Sequence, residues 1–264
     1  MNVLSETAVP DDQGVVLEPA VRLVDASVAL GGREILHSLT MELEPGIVAL
    51  VGANGSGKST LLKAIATLVP VSAGSITVRG LGTRGRREAA AYRRMIGYLP
   101  QEPSFPQDFT VLEALRYAAW LRGVPAGDRA GRVSEMVERL DLAAVASSRL
   151  GTLSGGTRQR AYIGQAVIHR PLVVLLDEPT TGVDTVHRVE LRDLLRDLAA
   201  DRLLVMSTHL TEDIELLATR VVAMREGTVE FDGSPQALAA LADDAPEDSA
   251  RRIELGLRAL GGKA

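Results

Sequence analysis

The chain has 264 residues, a formal net charge of −5 from 29 Lys+Arg against 34 Asp+Glu, and no cysteine. That length accommodates one large α/β domain, or a core with a small subdomain and tails, and excludes two full catalytic domains. The acidic balance supplies no global field toward nucleic acid or anionic lipid, and the missing cysteines exclude disulfides, thiolate metal sites and cysteine nucleophiles.

Residues 1–18, rich in Ser, Thr, Pro and Asp without periodicity, are predicted to form a mobile tail, and their acidic start is not that of a signal peptide. No apolar run approaches the roughly 18 residues needed to span a bilayer. From Val21 the alternation Val21, Leu23, then Ala26, Val28, Leu30 predicts a strand, Gly31-Gly32 a turn, and Ile35 to Leu43 its partner. Glu44-Pro45-Gly46 turns the chain into the apolar run Ile47 to Val51.

The stretch Gly52-Ala53-Asn54-Gly55-Ser56-Gly57-Lys58-Ser59-Thr60 follows that run and opens the helical pattern Leu61-Leu62-Lys63-Ala64-Ile65, which extends to about Leu68. It fits G-x-x-x-x-G-K-[ST], in which backbone N–H groups close around phosphate oxygens, a lysine reaches the β/γ-phosphates and a hydroxyl meets Mg²⁺. The helix adds the partial positive charge of its N-terminus. Ser75 to Arg79 reads as a strand and Gly80 to Arg87 as a basic, glycine-punctuated, solvated loop. Met95 to Gln101 is a buried strand running into a proline-rich segment, Glu102 to Phe109, that cannot be helical.

Thr110 with Glu113 forms a capping pattern for a helix carrying Val111, Leu112, Leu115, Ala118, Ala119 and Trp120, and a second helix runs from about Arg129 to Leu140. Arriving without intervening strands, the two form a helical subdomain inserted at about residues 102–165, with Tyr117 and Trp120 read as packing residues. Leu153-Ser154-Gly155-Gly156 opens a further helix. Pro171 to Leu176 is an unbroken apolar strand of the doubly buried, parallel kind, ending in Asp177-Glu178 and so aiming two carboxylates into the crevice where α/β sheets bind ligands. A helix from about Asp184 to Ala199, a strand Leu203 to Met206 with Ser207-Thr208-His209 at its tip, and two short strands complete the compact part, residues 19–235. Residues 236–264 form a C-terminal linker and helix, in which Ile253, Leu257 and Leu260 share a face that docks on the domain or on a partner.

Five motifs therefore stand in one order: the phosphate loop, Gln101 after a strand, Leu-Ser-Gly-Gly, an apolar strand ending Asp-Glu, and Ser-Thr-His. Together they resemble the nucleotide-binding subunit of ATP-binding cassette (ABC) transporters over about Val21 to Gly233. The resemblance implies a P-loop NTPase (RecA-like) core sheet with an N-terminal antiparallel β-subdomain and an inserted helical subdomain, hydrolysing ATP with Mg²⁺. It assigns Gly52, Asn54, Gly55, Ser56, Gly57, Lys58, Ser59 and Thr60 to the nucleotide, Lys58 to the β/γ-phosphates, and Ser59, Asp177 and Gln101 to Mg²⁺. Glu178 then orients or deprotonates the attacking water, His209 contacts the γ-phosphate, and Asp184 lies in the loop that signals across a dimer.

By the same resemblance Ser154, Gly155 and Gly156 serve the nucleotide held by an opposite subunit, which implies a head-to-tail homodimer or heterodimer. The dimer would energise a separate transmembrane permease from the cytoplasmic face of the membrane, without nucleic acid as a partner. General similarity to export subunits points to export. The alternative is a soluble ABC ATPase such as an iron–sulfur assembly factor. Two positions depart from the family: Leu30 stands where an aromatic stacks on adenine, and Thr157 where glutamine is frequent. Phe105, Pro106 and Phe109 either line a groove for the permease's coupling helix or pack on the helical subdomain.

Overall fold

The computed structural model describes residues 20–242 and 249–261; the N-terminal tail and most of the segment linking to the last helix lie outside them. The chain opens with an antiparallel pair, β1 (Val21–Leu30) and β2 (Arg33–Leu43), joined at Gly31-Gly32. β3 (Gly46–Val51) leads into α1 (Lys58–Ile65), and β4 (Ala73–Val78) then returns to pair with β1. This gives a small sheet of order β2-β1-β4. The odd step from Leu23 to Ala26 in the apolar pattern has a structural cause: the register shifts there, with Asp25 at φ 46° and its carboxylate accepting hydrogen bonds from Ser38 and Thr40. Beyond the bulge Ala26 and Val28 are buried again, while Leu30 is 40% exposed.

After β4 come α2 (Arg86–Arg94), β5 (Ile96–Leu99), α3 (Val111–Leu121), α4 (Arg129–Arg139), α5 (Gly155–Val167) and β6 (Val173–Asp177). The chain continues through α6 (Thr185–Leu198), β7 (Leu203–Ser207), α7 (Thr211–Leu217), β8 (Arg220–Arg225), β9 (Thr228–Gly233), α8 (Pro235–Ala239) and α9 (Ser249–Gly261). The larger sheet has the order β5-β6-β7-β3-β8-β9, parallel except for β9 at one edge. Its central strands are buried on both faces. Along β7, Leu204 and Met206 join the core beneath the helices α3 to α6, and Leu203 and Val205 join the core shared with the small sheet and α1. This is the α/β architecture of P-loop NTPases, with an antiparallel β-subdomain at the N-terminus.

Three local expectations change. The basic stretch after Gly80 is not all loop, since helix begins at Arg86 and is anchored by Ala89 and Tyr92, whose hydroxyl donates to the Ile65 carbonyl at 2.8 Å. Helix α1 stops at Ile65 rather than near Leu68, and Thr67 enters the left-handed region at φ 60°. Trp120 and Tyr117 are not core residues: they are 57% and 41% exposed. A period of 3.6 places Val111, Ala114, Leu115 and Ala118 on one side of α3, and Tyr117 and Trp120 on the other. The two rings instead continue an exposed ladder from Phe109, with centroids 6.0 and 5.8 Å apart.

The final helix docks on its own domain. Ile253 is 2% exposed, Leu257 and Leu260 pack beside it, and the three share a core with Ile214, Val221 and Leu238.

Candidate functional site

The strand order β6-β7-β3 sets the carboxyl ends of three strands side by side, and each ends in one of the motifs. Cα pairs Leu50↔Ser207 and Asp177↔Ser207 fix the register, so the loop after β3 and the carboxylates after β6 flank the tip of β7. Ser59, at the start of α1, donates its hydroxyl to Asp177 Oδ1 at 3.1 Å across 118 residues of chain. Ser207 donates to the same Oδ1 at 2.6 Å and accepts the Glu178 amide at 2.8 Å. Sequence reasoning gave Ser207 no role, because only the strand register reveals it.

Glu178 sits at φ 52°, an unusual conformation for a side chain this large. Its Oε2 accepts a hydrogen bond from Thr181 at 2.8 Å and lies 3.0 Å from His209 Nδ1. Thus Asp177 and Glu178, adjacent in sequence, have separate surroundings. The first is buried among hydroxyls, and the second reaches toward solvent beside an exposed imidazole.

The phosphate loop is shaped to receive an anion. Gly57 precedes α1 at φ 105°, with no side chain capping the helix, so the N–H groups of the first turn remain available. A Cβ at Gly57 would lie 2.8 Å from a Leu36 methyl carbon, in a backbone conformation only glycine adopts readily. Lys58 is buried and curls over the loop, donating to the Gly52 and Ala53 carbonyls at 2.7 and 3.0 Å. Burial pushes its amine below the ordinary lysine value, against the opposing pull of Glu178 and Asp177.

A cleft of about 940 Å³ opens over this loop, lined by Asn54, Gly55, Gly57, Lys58, Ser59, Thr60, Gln101 and Glu178. Its far wall comes from the small sheet: Leu30, Arg33, Glu34, Ile35 and His37. These wall residues, other than Leu30, were not singled out in sequence, since nothing local marks which β2 positions face a cleft. Gly52 and Ser56 belong to the loop but not to the lining, Ser56 being buried.

Ser154, Gly155 and Gly156 stand outside the cleft of their own chain. Ser154 caps α5 by accepting the Thr157 amide at 3.3 Å and donates to the Thr157 hydroxyl at 2.8 Å. Gly156 lies so close to His187 that a Cβ would come within 2.5 Å of that residue's own Cβ. His187 in turn holds Asp184, ring Nδ1 to Oδ2 at 2.7 Å, while Asp184 caps α6. Ser154, Gly155 and Asp184 are therefore exposed on neighbouring helix starts, with Gly156 buried against His187 between them.

The sequence profile of the ABC transporter family matches residues 36–181, more than half the chain. The chain belongs to the ABC transporter family. Over 191 residues, 72% of the chain, it is 37% identical to YxlF, an uncharacterised ABC transporter ATP-binding protein of Bacillus subtilis (strain 168), of whose length it spans 62%. It is 34% identical over 221 residues to the phosphonates import ATP-binding protein PhnC 1 of Ruegeria sp. (strain TM1040), covering 78% of this chain and 86% of that one. Among solved structures, cbiO1 of Clostridium perfringens, part of the ABC transporter complex cbiONQ, superposes with a TM-score of 0.76 at 25% identity, over 84% of this chain and 91% of that one.

Within this ABC fold, Phe105 is half-buried, packs against the core of the helical region and stacks on Tyr162 with centroids 6.1 Å apart. Phe109 packs on the same core and meets Tyr117 edge-on. Both rings are thus structural in part, beside whatever surface they present.

Among the described residues no group of three acidic or histidine side chains forms a ready-made metal cage. The Ser59 hydroxyl and Asp177 carboxylate are nevertheless hard oxygens held 3.1 Å apart at the mouth of the loop. That donor pair fits Mg²⁺, which takes few protein ligands and completes its shell with water and phosphate oxygens.

Proposed function

We propose that the chain binds and hydrolyses Mg·ATP and that this cycle drives a separate membrane-spanning permease. The observation that carries the reading is the junction at Ser207, where the Asp177 carboxylate, the Glu178 amide and, through Asp177, the Ser59 hydroxyl meet at the open end of the phosphate loop.

The triphosphate lies on the first turn of α1. Lys58 turns its amine from the Gly52 and Ala53 carbonyls to the β- and γ-phosphates, and Asn54, Gly55, Ser56, Gly57 and Thr60 contribute backbone N–H groups. Ser59 and Asp177, with Gln101 from the end of β5, would hold Mg²⁺, which would supply positive charge to offset the phosphates during γ-phosphoryl transfer. Glu178 takes a proton from the attacking water, a role worth roughly 10²- to 10⁴-fold in rate. His209, within 3.0 Å of Glu178, keeps that carboxylate oriented and donates to the γ-phosphate.

Ser154, Gly155 and Gly156 lie away from the chain's own cleft, so they contact nucleotide only on a second subunit. ATP then favours a head-to-tail dimer, and hydrolysis removes that preference. The permease is a separate chain in this reading, as for cbiO1, which is named as part of a larger transporter complex; no described helix is long and apolar enough to cross a membrane. Direction follows the permease; an import protein among the relatives leaves export without particular support. The subunit acts peripherally, at the cytoplasmic face of the membrane.

The deciding experiment compares wild type with Glu178→Gln. The variant should lose hydrolysis by about 10²-fold or more, and with ATP it should elute as a dimer. Normal turnover by the variant would overturn the assignment of Glu178. Capture of the tagged wild-type chain from detergent-solubilised membranes should bring down an integral membrane protein; recovery with soluble partners only would favour an assembly factor.

A further inference from the structure

Between β4 and β5 the charge pattern of the chain inverts. Residues 79–94 hold six arginines and one glutamate, in a protein whose net charge is −5. The single acid does not neutralise them: Glu88 is turned inward, its carboxylate accepting the Gly82 amide at 2.7 Å. Helix α2 rests on Ala89 and Tyr92. At 100° per residue its opposite face consists of Arg87, Ala90, Ala91 and Arg94, with exposed Arg86 at its edge and Arg84 just before the helix; Arg87, Ala90 and Arg94 are exposed. Arg93 lies at the flank and donates to the Thr67 hydroxyl at 2.9 Å.

Among the described residues, Arg84, Arg86, Arg87 and Arg94 take part in no ion pair. Elsewhere several surface arginines are ion-paired, as in Arg22–Glu42, Arg170–Glu135 and Arg220–Asp232, and those that are not stand apart along the chain instead of sharing one helix face. An unrelieved arginine face on an acidic protein holds its cations apart from the protein's own carboxylates, leaving them for an external polyanion.

We propose that this face of α2 docks on anionic phospholipid headgroups. Guanidinium matches phosphate oxygens bidentately, and the cations of this stretch, like nearly all in the chain, are arginines. The outward face has only Ala90 and Ala91 between its arginines, so there is no bulky apolar wedge to insert. Contact is therefore with headgroups and not acyl chains. The face also lacks an aromatic ring on which a nucleobase could stack, and a helix of nine residues is about 13 Å long, too short to follow a nucleic-acid groove far. The choice of a membrane over other polyanionic surfaces rests on the transporter reading.

The test is co-sedimentation of the purified full chain with vesicles of phosphatidylcholine alone, or of equal parts phosphatidylcholine and phosphatidylglycerol. Wild type should bind only the anionic vesicles, and less as salt rises. Each basic residue near such a surface is worth about fivefold, so a variant with Arg84, Arg86, Arg87 and Arg94 all changed to Gln should bind about 10²-fold or more weakly, with its urea midpoint unchanged. Arg86→Gln with Arg94→Gln gives an intermediate loss and serves if the fourfold variant folds poorly. Equal binding by wild type and variants, no binding at low salt, or tighter binding to duplex DNA than to the vesicles would each overturn the proposal. A chain that binds these vesicles through its arginines yet hydrolyses no ATP would refute the ATPase reading and leave this one standing.

Discussion

Ser207 Oγ stands 2.6 Å from Asp177 Oδ1 and 2.8 Å from the Glu178 amide nitrogen, so a single fully buried hydroxyl on β7 fixes both carboxylates at the end of β6. It donates to one residue and accepts from the next, which uses its one donor and one of its two acceptor lone pairs.

Ser207→Ala would therefore strand the Glu178 amide and leave Asp177 Oδ1 with the Ser59 hydroxyl as its one protein donor. Leaving a buried group unpaired costs about 1–3 kcal/mol of stability. A shift of Glu178 costing about 1.4 kcal/mol in the transition state lowers kcat tenfold. We expect a lower urea midpoint together with a kcat reduced about tenfold and KM for ATP little changed. An increase in KM alone would show that Ser207 supports binding and not the alignment of Glu178.

Leu30 lines the cleft at its outer wall, 40% exposed, where an aromatic ring would offer a base a flat surface. Stacking on an aromatic side chain is worth about 1–3 kcal/mol per base. Leu30→Tyr should tighten ATP binding accordingly, and GTP similarly, with smaller gains for pyrimidine nucleotides. Isothermal titration with the four nucleotides reads the effect; unchanged affinities would remove Leu30 from the base site.

Asp213 on α7 has no exposure and accepts Arg192 Nε at 2.7 Å and the Thr180 hydroxyl, joining α6 and α7 to the segment just past Glu178. Asp213→Ala leaves the guanidinium with Glu212 alone, at 2.9 Å, and strands the buried Thr180 hydroxyl, a change that costs about 1–3 kcal/mol. The double variant Arg192→Met with Asp213→Leu should recover much of that stability, measured by urea unfolding. If the double variant is no better than Asp213→Ala, the loss comes from packing and not from the broken Arg192–Asp213 pair.

His169 carries the clearest pH dependence. Burial, then the charge of Arg122, press its pKa from 6.5 down to about 4, against the hydrogen bond of its ring to the Ile96 carbonyl at 3.0 Å. The folded state favours the neutral ring, so this contribution is complete above pH 6.5 and is lost as pH falls from 6.5 toward 4. A separation of this size corresponds to about 3 kcal/mol. His169→Gln should flatten the decline in urea midpoint between pH 7 and pH 4.5; an identical decline in both proteins would place the titrating group elsewhere.

The motifs were legible because they are local. A glycine-rich turn after an apolar strand, a Ser-Gly-Gly before a helix and a Thr–Glu capping pattern are specified by residues within a few positions of one another. The capping box at Thr110 and Glu113 forms as its spacing requires, with the Thr110 amide on Glu113 at 2.8 Å. Periodicity was less reliable wherever it had to name a face. Trp120 fits a helical apolar pattern but falls on the side of α3 that nothing covers, and the arginines after Gly85 read as loop although Ala89 and Tyr92 supply just enough apolar contact to hold a helix.

By itself, then, the sequence determined the chemical groups and the strand-loop-helix units that present them, since backbone conformation at a glycine or a cap depends on near neighbours. Only the tertiary structure decided which groups meet. Ser59 and Asp177 are joined across 118 residues by the order β6-β7-β3, Ser207 gains its place from the same register, and the apolar face of α9 is spent on its own domain. Such contacts depend on which surfaces cover one another, and an apolar pattern along a chain records that a face must be buried without recording against what.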